Sequence, residues 1–424
     1  MGRNEKILKE FREKAFPPFF AVEESARCLL CHDAPCSKAC PVGTDPAKFI
    51  RSLRFRNLKG AVETIRENNI LGGVCARVCP TSKYCEGACS RTGIDKPIEI
   101  AKLQRYLTDY EEALGLEVLE IPEATKEKVA IIGSGPSGLS AATELAKRGY
   151  KVTVFEEAPK LGGWLTYGIP DERLPENVVE NEIGYIKRLG VNFITSCKVP
   201  RDKSIDDLKN EGFKAILIST GMQKSKKVEI EGEDLNGVLN GVDFLSEVNI
   251  NKKAMIGDKI IVIGGGDVAI DCATTAKNLG ASDVKIVYRR KIENMPADRA
   301  SIEEVQKLNI PIFTGFKPLK IIGQNSFVTR FKAVGMFDDS EIELPADNVI
   351  FAIGQDPENI DNIADIKVNE KGIILTDNYK TNIDYIFAAG DIVEGDKTVV
   401  YALKTGKEAA IAIDEYLEKM EGAR

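Results

Sequence analysis

Eight of the ten cysteines of this chain lie in its first ninety residues, in two closely spaced runs. The first run comprises Cys28, Cys31, Cys36 and Cys40, and the second comprises Cys75, Cys79, Cys85 and Cys89. A [4Fe–4S] cluster needs about four soft thiolate ligands, and short cysteine spacings that end in Cys-Pro, as at Cys40, are typical of chains that bind one. The pattern therefore predicts two iron–sulfur clusters.

Zinc sites and disulfides are the other readings of these cysteines. Structural zinc sites use paired knuckles separated by a spacer, which the spacing from Cys28 to Cys40 fits poorly. Disulfides imply export, yet the charged start of the chain leads into no apolar stretch long enough for a signal peptide. Iron–sulfur ligation is the favoured interpretation, and it places the protein in a reducing cytoplasm.

Two glycine-rich loops follow the cysteine region, each after a short β-branched run. The first loop contains Gly133, Gly135 and Gly138 and precedes a predicted helix, and the strand after that helix ends in Glu156. Such glycines let backbone N–H groups approach a pyrophosphate, and the acidic side chain can bind a ribose hydroxyl. This context predicts a dinucleotide site.

The second loop has the sequence Gly264-Gly265-Gly266-Asp267-Val268, and the strand after its helix ends in Arg289 and Arg290. Guanidinium groups at that place suit the 2′-phosphate of NADP(H), whereas a carboxylate favours NAD. Gly390-Asp391 then precedes a helix that begins near residue 398 and can direct its positive end toward a flavin ring. The first fold is therefore predicted to bind flavin and the second NADP(H).

Composition limits the remaining function classes. The 424 residues carry a net charge of −7, with a pI near 5.3, so no basic field is available for nucleic acid. No window approaches the roughly twenty apolar residues of a membrane span, so no membrane attachment is predicted. Residues 5–117 show short helical patterns, for example at 45–56, 58–67 and 98–114. From about residue 129, β-branched runs alternate with helices, which indicates parallel α/β folds.

Residues 161–165, residues 168–175 and Gly390-Asp391 carry a resemblance to a known family. They resemble the flavin half shared by the glutamate synthase small subunit and the NAD(P)H-oxidising part of dihydropyrimidine dehydrogenase. The resemblance covers essentially the whole chain, and the cysteine region, at residues 28–36 and 75–85, is more similar to the pyrimidine enzyme. It implies a multidomain fold: an N-terminal all-α iron–sulfur domain followed by two α/β Rossmann-like domains, the second inserted in the first. The expected boundaries are 1–125 for the cluster domain, 126–245 and 371–424 for the FAD domain, and 246–370 for the NAD(P) domain.

The same resemblance implies site residues. One cluster is expected on Cys28, Cys31, Cys36 and Cys89, and the other on Cys40, Cys79, Cys85 and Gln104. Without the resemblance, Cys75 would be nominated and Gln104 would pass for an ordinary polar helix residue. FAD is expected at Gly133, Gly135, Gly138, Glu156, Gly163, Arg173 and Asp391, and NADP(H) at Gly266, Asp267, Val268, Arg289, Arg290 and Gly354. Pro296 stands where the mammalian pyrimidine enzyme, in this resemblance, has a further arginine.

The predicted activity is an NAD(P)H-dependent oxidoreductase subunit that passes electrons between NAD(P)H, FAD and two [4Fe–4S] clusters without a catalytic acid or base. Since 424 residues leave no room for a pyrimidine-reducing barrel, uracil or thymine reduction is expected on a partner that carries FMN and further clusters. The alternatives are the small subunit of NADPH-dependent glutamate synthase and the large subunit of a bifurcating ferredoxin:NADP oxidoreductase. Disulfide reductases are disfavoured because residues 162–175 contain no cysteine pair.

Overall fold

The computed structural model describes residues 16–120, 122–226, 228–357 and 365–422. Residues 5–15 of the predicted helical region, and the charged start of the chain, lie outside this description. Contacts within the chain divide the described residues into two compact units. The larger unit contains residues 16–166, 173–222 and 365–422, and the smaller contains residues 167–172 and 223–357.

Six α-helices and two short 3₁₀ helices, Thr81–Lys83 and Ser90–Gly93, make up the described N-terminal region of the larger unit. The α-helices are α1 (Pro18–Ala26), α2 (Pro35–Ala39), α3 (Pro46–Arg54), α4 (Leu58–Asn68), α5 (Gly72–Val78) and α6 (Ile100–Leu114). Apolar side chains from these helices, among them Phe49, Leu53 and Leu103, form one buried core. The cysteines lie in or next to short helices and loops around this core.

Local sequence explains where several of these helices begin and end. Asp45 caps α3 by accepting a hydrogen bond from the Lys48 N–H at 3.3 Å, and Pro46 occupies the first turn, where its missing N–H costs nothing. Asn57 caps α4 in the same way through the Gly60 N–H. Gly115, in the left-handed conformation, ends α6. The predicted helices at 45–56, 58–67 and 98–114 therefore agree with the structure to within two residues.

The rest of the larger unit is a parallel sheet covered by helices. Its strands are β1 (Lys128–Ile132), β2 (Lys151–Phe155), β3 (Asn192–Ile194), β4 (Phe213–Ile218) and β15 (Ile386–Ala388), in the order β15-β4-β1-β2-β3. The associated helices are α7 (Pro136–Lys147), α9 (Glu176–Arg188), α10 (Ile205–Asn210) and α14 (Val399–Gly422), with the short α8 (Trp164–Tyr167) before α9. β1 and β2 are buried along almost their whole length, and for this reason their sequences consist mostly of apolar residues.

The smaller unit has a second five-stranded parallel sheet. Its strands are β6 (Val238–Asn240), β7 (Lys259–Ile263), β8 (Asp283–Tyr288), β9 (Ile312–Thr314) and β13 (Asn348–Phe351), in the order β6-β13-β7-β8-β9. Its helices are α11 (Gly241–Asn251), α12 (Asp267–Asn278) and α13 (Arg299–Lys307). An antiparallel sheet of β10 (Phe316–Gln324), β11 (Phe327–Gly335) and β12 (Glu341–Pro345) packs on it, and β5 (Lys224–Ser225) pairs with β14 (Gln355–Asp356). Within the described ranges, no helix is both long and apolar enough to cross a bilayer.

Candidate iron–sulfur and nucleotide sites

Four cysteines line one small pocket in the helical region. They are Cys28, Cys31, Cys36 and Cys89, called here the first thiol group. Cys28 and Cys31 lie in the segment that joins α1 to α2, Cys36 lies in α2, and Cys89 belongs to the other cysteine run. The Ile98 N–H donates to the Cys89 sulfur at 3.5 Å. Four thiols around one pocket, with a backbone donor to one of the sulfurs, are the ligand type that an iron–sulfur cluster uses.

The electrostatics of the first thiol group also suit a cation. Burial, followed by the neighbouring thiols Cys28 and Cys89, raises the pKa of Cys36 to about 11. The pKa of Cys28 is raised by burial and by the same kind of neighbours. Thiolates packed together in a partly buried site repel one another, and bound iron removes that repulsion. Metal binding by these thiols would therefore release their protons.

The other four cysteines of the two runs form a second, more deeply buried thiol group. Its members are Cys40, Cys75, Cys79 and Cys85. Burial, and then the thiols Cys75, Cys85 and Cys40, raises the pKa of Cys79, and burial likewise raises the pKa of Cys75 and Cys85. The Thr44 N–H donates to the Cys40 sulfur at 3.4 Å. This group too combines four thiols with a backbone donor.

Gln104 lies on α6 and is only 7% exposed. Its Nε2 donates to the carbonyl oxygen of Gly72 at 2.7 Å, at the start of the helix that carries Cys75 and ends at Cys79. The structure thus brings both predicted candidates for the last ligand, Cys75 and Gln104, to the same short helix. The amide oxygen of Gln104 is the atom that would face a metal.

The first glycine loop joins β1 to α7 and has the geometry of a pyrophosphate cradle. A Cβ on Gly138 would lie 2.1 Å from the Gly133 carbonyl oxygen, so only glycine lets the helix start so close to the strand. A Cβ on Gly135, by contrast, would meet nothing within 4 Å. The Ser137 hydroxyl is buried and has no hydrogen-bond partner among the described residues. Open space beside Gly135 and an unpartnered hydroxyl fit a dinucleotide bound at this loop.

Glu156 and Asp391 place two carboxylates at this end of the first sheet. Glu156, at the end of β2, accepts hydrogen bonds from the Ser134 N–H and hydroxyl at 2.9 and 2.6 Å. Asp391 follows β15, and Lys397 donates to its backbone oxygen at 2.7 Å. Gly163 approaches the loop so closely that a Cβ would lie 3.0 Å from the Gly135 Cα. Arg173 is half-buried before α9.

The protonation of Asp391 is expected to make the affinity for FAD depend on pH. Burial raises the pKa of this carboxyl to about 6, although Lys397 opposes the shift. The ionised form of Asp391 is therefore disfavoured in the apoprotein. The protonated carboxyl contributes to the free energy of unfolding at low pH, and this contribution is lost as the pH rises through 6. If flavin hydroxyls donate to the carboxylate, FAD affinity falls below pH 6 by up to about tenfold per pH unit. Titration of the apoprotein with FAD at pH 5 and pH 7.5 measures this change in affinity. Asp391→Asn should bind FAD weakly, with the same affinity at both pH values. Equal affinities of the wild-type protein at the two pH values would contradict the prediction.

The second glycine loop joins β7 to α12 in the smaller unit. A Cβ on Gly264 would lie 2.2 Å from the Ala352 carbonyl oxygen, while Gly266 has only Pro296 nearby, at 3.7 Å. Pro296 therefore lies beside the loop, in the segment whose Ala297 N–H donates to the Gly265 oxygen. Arg289 and Arg290 are exposed after β8. Gly354 has a positive φ of 112° and lies beside the Lys226 side chain.

Sequence reasoning missed a link between the cluster region and the flavin loop. The Tyr84 hydroxyl, between Cys79 and Cys85, donates to the Asp396 carboxylate at 2.6 Å, just before α14. Burial, and then Asp396, raises the pKa of Tyr84 to about 12, so the hydroxyl stays protonated and can donate. No local pattern marks this pair, because its members are 312 residues apart. The contact joins the loop of the second thiol group to the segment after Asp391.

Comparison with known proteins identifies two family regions. Residues 127–406 match the pyridine nucleotide-disulphide oxidoreductase family, and residues 5–116 match dihydropyrimidine dehydrogenase domain II, 4Fe–4S cluster. These matches confirm the predicted cofactors, which are FAD, NAD(P) and [4Fe–4S] clusters, and the prediction of an NAD(P)H-dependent oxidoreductase. They also confirm an N-terminal cluster domain followed by Rossmann-type domains.

Relatives and solved structures agree with these regions. The NAD-dependent dihydropyrimidine dehydrogenase subunit PreT of Salmonella typhimurium is 47% identical over 405 residues, which cover 95% of this chain and 96% of that protein. The glutamate synthase [NADPH] small chain of Halomonas elongata is 31% identical, covering 97% of this chain and 94% of that one. Thioredoxin reductase from T. acidophilum, 20% identical, superposes with a TM-score of 0.56 over 70% of this chain and 100% of its own, which shows a shared fold. The chain therefore belongs to the pyridine nucleotide-disulphide oxidoreductase family and, within it, to the group of the PreT subunits of NAD-dependent dihydropyrimidine dehydrogenase.

Proposed function

We propose that this chain is the electron-input subunit of a two-subunit dihydropyrimidine dehydrogenase. It passes electrons between NAD(P)H, FAD and two [4Fe–4S] clusters to a partner that reduces uracil or thymine, and that partner is an FMN- and iron–sulfur-containing barrel protein. Two groups of four thiols and a flavin-type glycine loop within one compact unit carry the proposal. Relatives that are 45–47% identical are named as subunits of NAD-dependent dihydropyrimidine dehydrogenase, which supports a pyrimidine as the final substrate.

The bound cofactors would convert a two-electron hydride into single electrons, since a flavin exchanges one or two electrons and a cluster exchanges one. The chain's own residues hold those groups in place. We propose that Cys28, Cys31, Cys36 and Cys89 bind one cluster, and that Cys40, Cys79, Cys85 and Gln104 bind the other. The shared cavity of the first four supports the first set. The bond from Gln104 to the start of α5, the helix that Cys79 directly follows, supports the second.

The nucleotide contacts follow from the two loops. We propose that FAD lies at Gly133, Gly135, Gly138, Glu156, Gly163, Arg173 and Asp391, and NAD(P)H at Gly266, Asp267, Val268, Arg289, Arg290 and Gly354. The domains would be 1–125, 126–245 with 371–424, and 246–370. The pairing of β15 with β4 in the first sheet supports the insertion of the second nucleotide fold into the first. Thiols that must stay reduced support a cytoplasmic location.

The first thiol group is the better placed of the two for electron exchange with a partner. Cys28, Cys31, Cys36 and Cys89 are all partly exposed, whereas Cys75 and Cys85 of the second group are buried. Leu29, which lines the same cavity, is 44% exposed. An apolar side chain next to an accessible cluster suits a protein contact that excludes water.

Activity of the separated and combined subunits tests the proposal. The isolated chain, prepared anaerobically with its cofactors, should reduce artificial dyes with NAD(P)H and should leave uracil unchanged. Co-purification followed by mass spectrometry should identify an FMN-containing partner, and adding that partner should give NAD(P)H-dependent uracil reduction. Uracil turnover by the isolated chain, or co-purification with a large glutamate-forming amidotransferase, would contradict the proposal; the second result would favour the glutamate synthase alternative.

Arg289 tests the choice of pyridine nucleotide. If its exposed guanidinium binds the 2′-phosphate, Arg289→Ala should lower kcat/KM for NADPH by about tenfold or more, because a charge-assisted hydrogen bond contributes about 1.5–3 kcal/mol. The value for NADH should stay within about twofold, since NADH has no such phosphate. Steady-state dye reduction with both nucleotides measures the ratio, with Arg299→Ala as the control. A wild-type preference for NADH, as the names of the PreT relatives suggest for those proteins, would remove Arg289 from this role.

A further inference from the structure

The short helix α5, which carries Cys75 and ends at Cys79, is held at its start by another part of the chain. Leu71 occupies its N-cap position and has no side-chain acceptor to offer the first amides. Glu182, on α9 of the flavin-type fold, takes that place. Its carboxylate accepts hydrogen bonds from the Gly73 N–H at 2.7 Å and from the Val74 N–H at 3.3 Å.

Glu182 belongs to a buried ionic triad with Arg66 and Glu111. The three residues are 3%, 5% and 3% exposed, respectively. Arg66 pairs with Glu182 at 2.9 Å and with Glu111 at 2.7 Å. One guanidinium thus pairs with two carboxylates. The N–H groups of Gly73 and Val74 compensate part of the remaining negative charge by donating hydrogen bonds to Glu182. Such an arrangement allows little movement, because an unpaired buried charge is strongly unfavourable.

A single peptide group connects Glu182 to Gln104. The N–H of Gly73 and the C=O of Gly72 belong to the same planar peptide. The N–H donates to Glu182, and the C=O accepts the Nε2 hydrogen of Gln104 at 2.7 Å. Hydrogen bonds in such a chain polarise one another, so the carboxylate strengthens the bond at the far end. The amide nitrogen of Gln104 is thereby fixed, and because the amide group is planar the position of its oxygen is fixed as well.

Glycines at positions 72 and 73 permit this close packing. A Cβ on Gly73 would lie 2.9 Å from the Glu182 Oε1, and a Cβ on Gly72 would lie 2.6 Å from the Ile65 Cγ2. A side chain at Gly73 would therefore push the Glu182 carboxylate away from the peptide, and one at Gly72 would displace Ile65. The pair of glycines is therefore part of the same arrangement.

We propose that Glu182 is a positioning residue for the second cluster: through the Gly72–Gly73 peptide it holds the Gln104 amide with Oε1 directed to iron. The inference rests on the proposed ligand role of Gln104. It assigns a function to a residue of the flavin-type fold that contacts no cofactor itself. Partners of metal ligands fix the orientation of the ligand and tune the metal, and their loss commonly costs about 10–100-fold in metal affinity or activity.

The test compares Glu182→Gln with Glu111→Gln in the full-length, cluster-loaded protein. Both changes remove a buried carboxylate from Arg66, but only Glu182 touches the Gly72–Gly73 peptide. Glu182→Gln should accelerate chelator-promoted iron loss from one of the two clusters by about tenfold and alter that cluster's reduced EPR signal, with the other signal unchanged. Glu111→Gln should lower the unfolding temperature to a similar extent and leave both signals as in wild type.

Two further variants make every outcome decisive. If Glu182→Gln fails to fold, Glu182→Asp keeps the charge near Arg66 but is one methylene too short for the Gly73 N–H, and it should show the same change in one cluster. Wild-type iron loss and EPR signals in the folded Glu182 variant would overturn the inference. Gln104→Ala then distinguishes a wrong role for Glu182 from a wrong ligand assignment. If Gln104→Ala also leaves both clusters unchanged, Gln104 is not a ligand. If Gln104→Ala alters one cluster, Gln104 stays a ligand and only the role of Glu182 is wrong.

Discussion

Replacing Gly135 with valine is expected to yield a folded protein that has lost its flavin. Gly135 has φ −66° and ψ 179°, a conformation that valine adopts readily, and a Cβ there meets nothing within 4 Å. The new side chain would instead occupy the space that the pyrophosphate needs beside the loop. Bound FAD should fall to about a tenth of the wild-type content or less, because close backbone approach is what this glycine provides. Flavin absorbance per chain and the apoprotein's unfolding temperature measure the two effects.

Gly184→Ala is the matched control for this change. Gly184 lies within α9, where the nearest atom to a new Cβ is the Arg188 Nη1 at an ordinary 3.6 Å. Alanine there should retain full flavin and stabilise the helix by about 0.5–1 kcal/mol. If Gly135→Val instead keeps the wild-type FAD content, the first nucleotide fold does not hold the flavin. Loss of flavin together with loss of the fold would count against the open space seen at this loop.

Cys79→Ser is expected to separate the flavin reaction from electron delivery to the partner. Cys79 belongs to the more buried thiol group, and a serine hydroxyl is a poor substitute for a thiolate on iron. Iron and sulfide should fall by about half, since one of two clusters is lost. Partner-dependent uracil reduction should drop by about 100-fold or more, while NAD(P)H-dependent dye reduction at the flavin stays within about twofold.

Cys197→Ser provides the comparison, because Cys197 is half-buried and lies outside both thiol groups. It should keep the full iron content and the full partner-dependent rate. Full iron in Cys79→Ser would remove Cys79 from the ligand set. Equal loss of dye reduction and uracil reduction would mean that the second thiol group supports the fold of the flavin domain and not electron transfer alone.

Long-range hydrogen bonds within the larger unit join the helical N-terminal region to the first nucleotide fold. Tyr84 bonds to Asp396 near the flavin loop, and Arg66 bonds to Glu182 on α9. Lys407 of α14 donates to the Asn68 oxygen at the end of α4. These bonds join loops and helices that carry or support the proposed ligands. They provide fixed separations between the sites, which single-electron exchange requires.

The sequence alone was sufficient for the features whose cause is local. Gly133, Gly135 and Gly138 predicted a strand, loop and helix because only glycine allows that backbone approach, and the structure has these elements at 128–132 and 136–147. The two cysteine runs predicted clusters because thiolate spacing is itself the ligand chemistry. Family membership confirms both cofactor predictions.

Tertiary structure decided the features that depend on distant residues. Only the fold places Cys89 in one cavity with Cys28, Cys31 and Cys36, and brings Gln104 to the helix that carries Cys75. Arg66, Glu111 and Glu182 read in sequence as ordinary charges on helices, yet all three are buried and paired. A local sequence pattern shows which residue types are present and how they are spaced. The pairing of Arg66 with Glu111 and Glu182, which are 45 and 116 residues away, depends on how the helices pack. For that reason the ligand types were evident from the sequence, and their supporting partners were not.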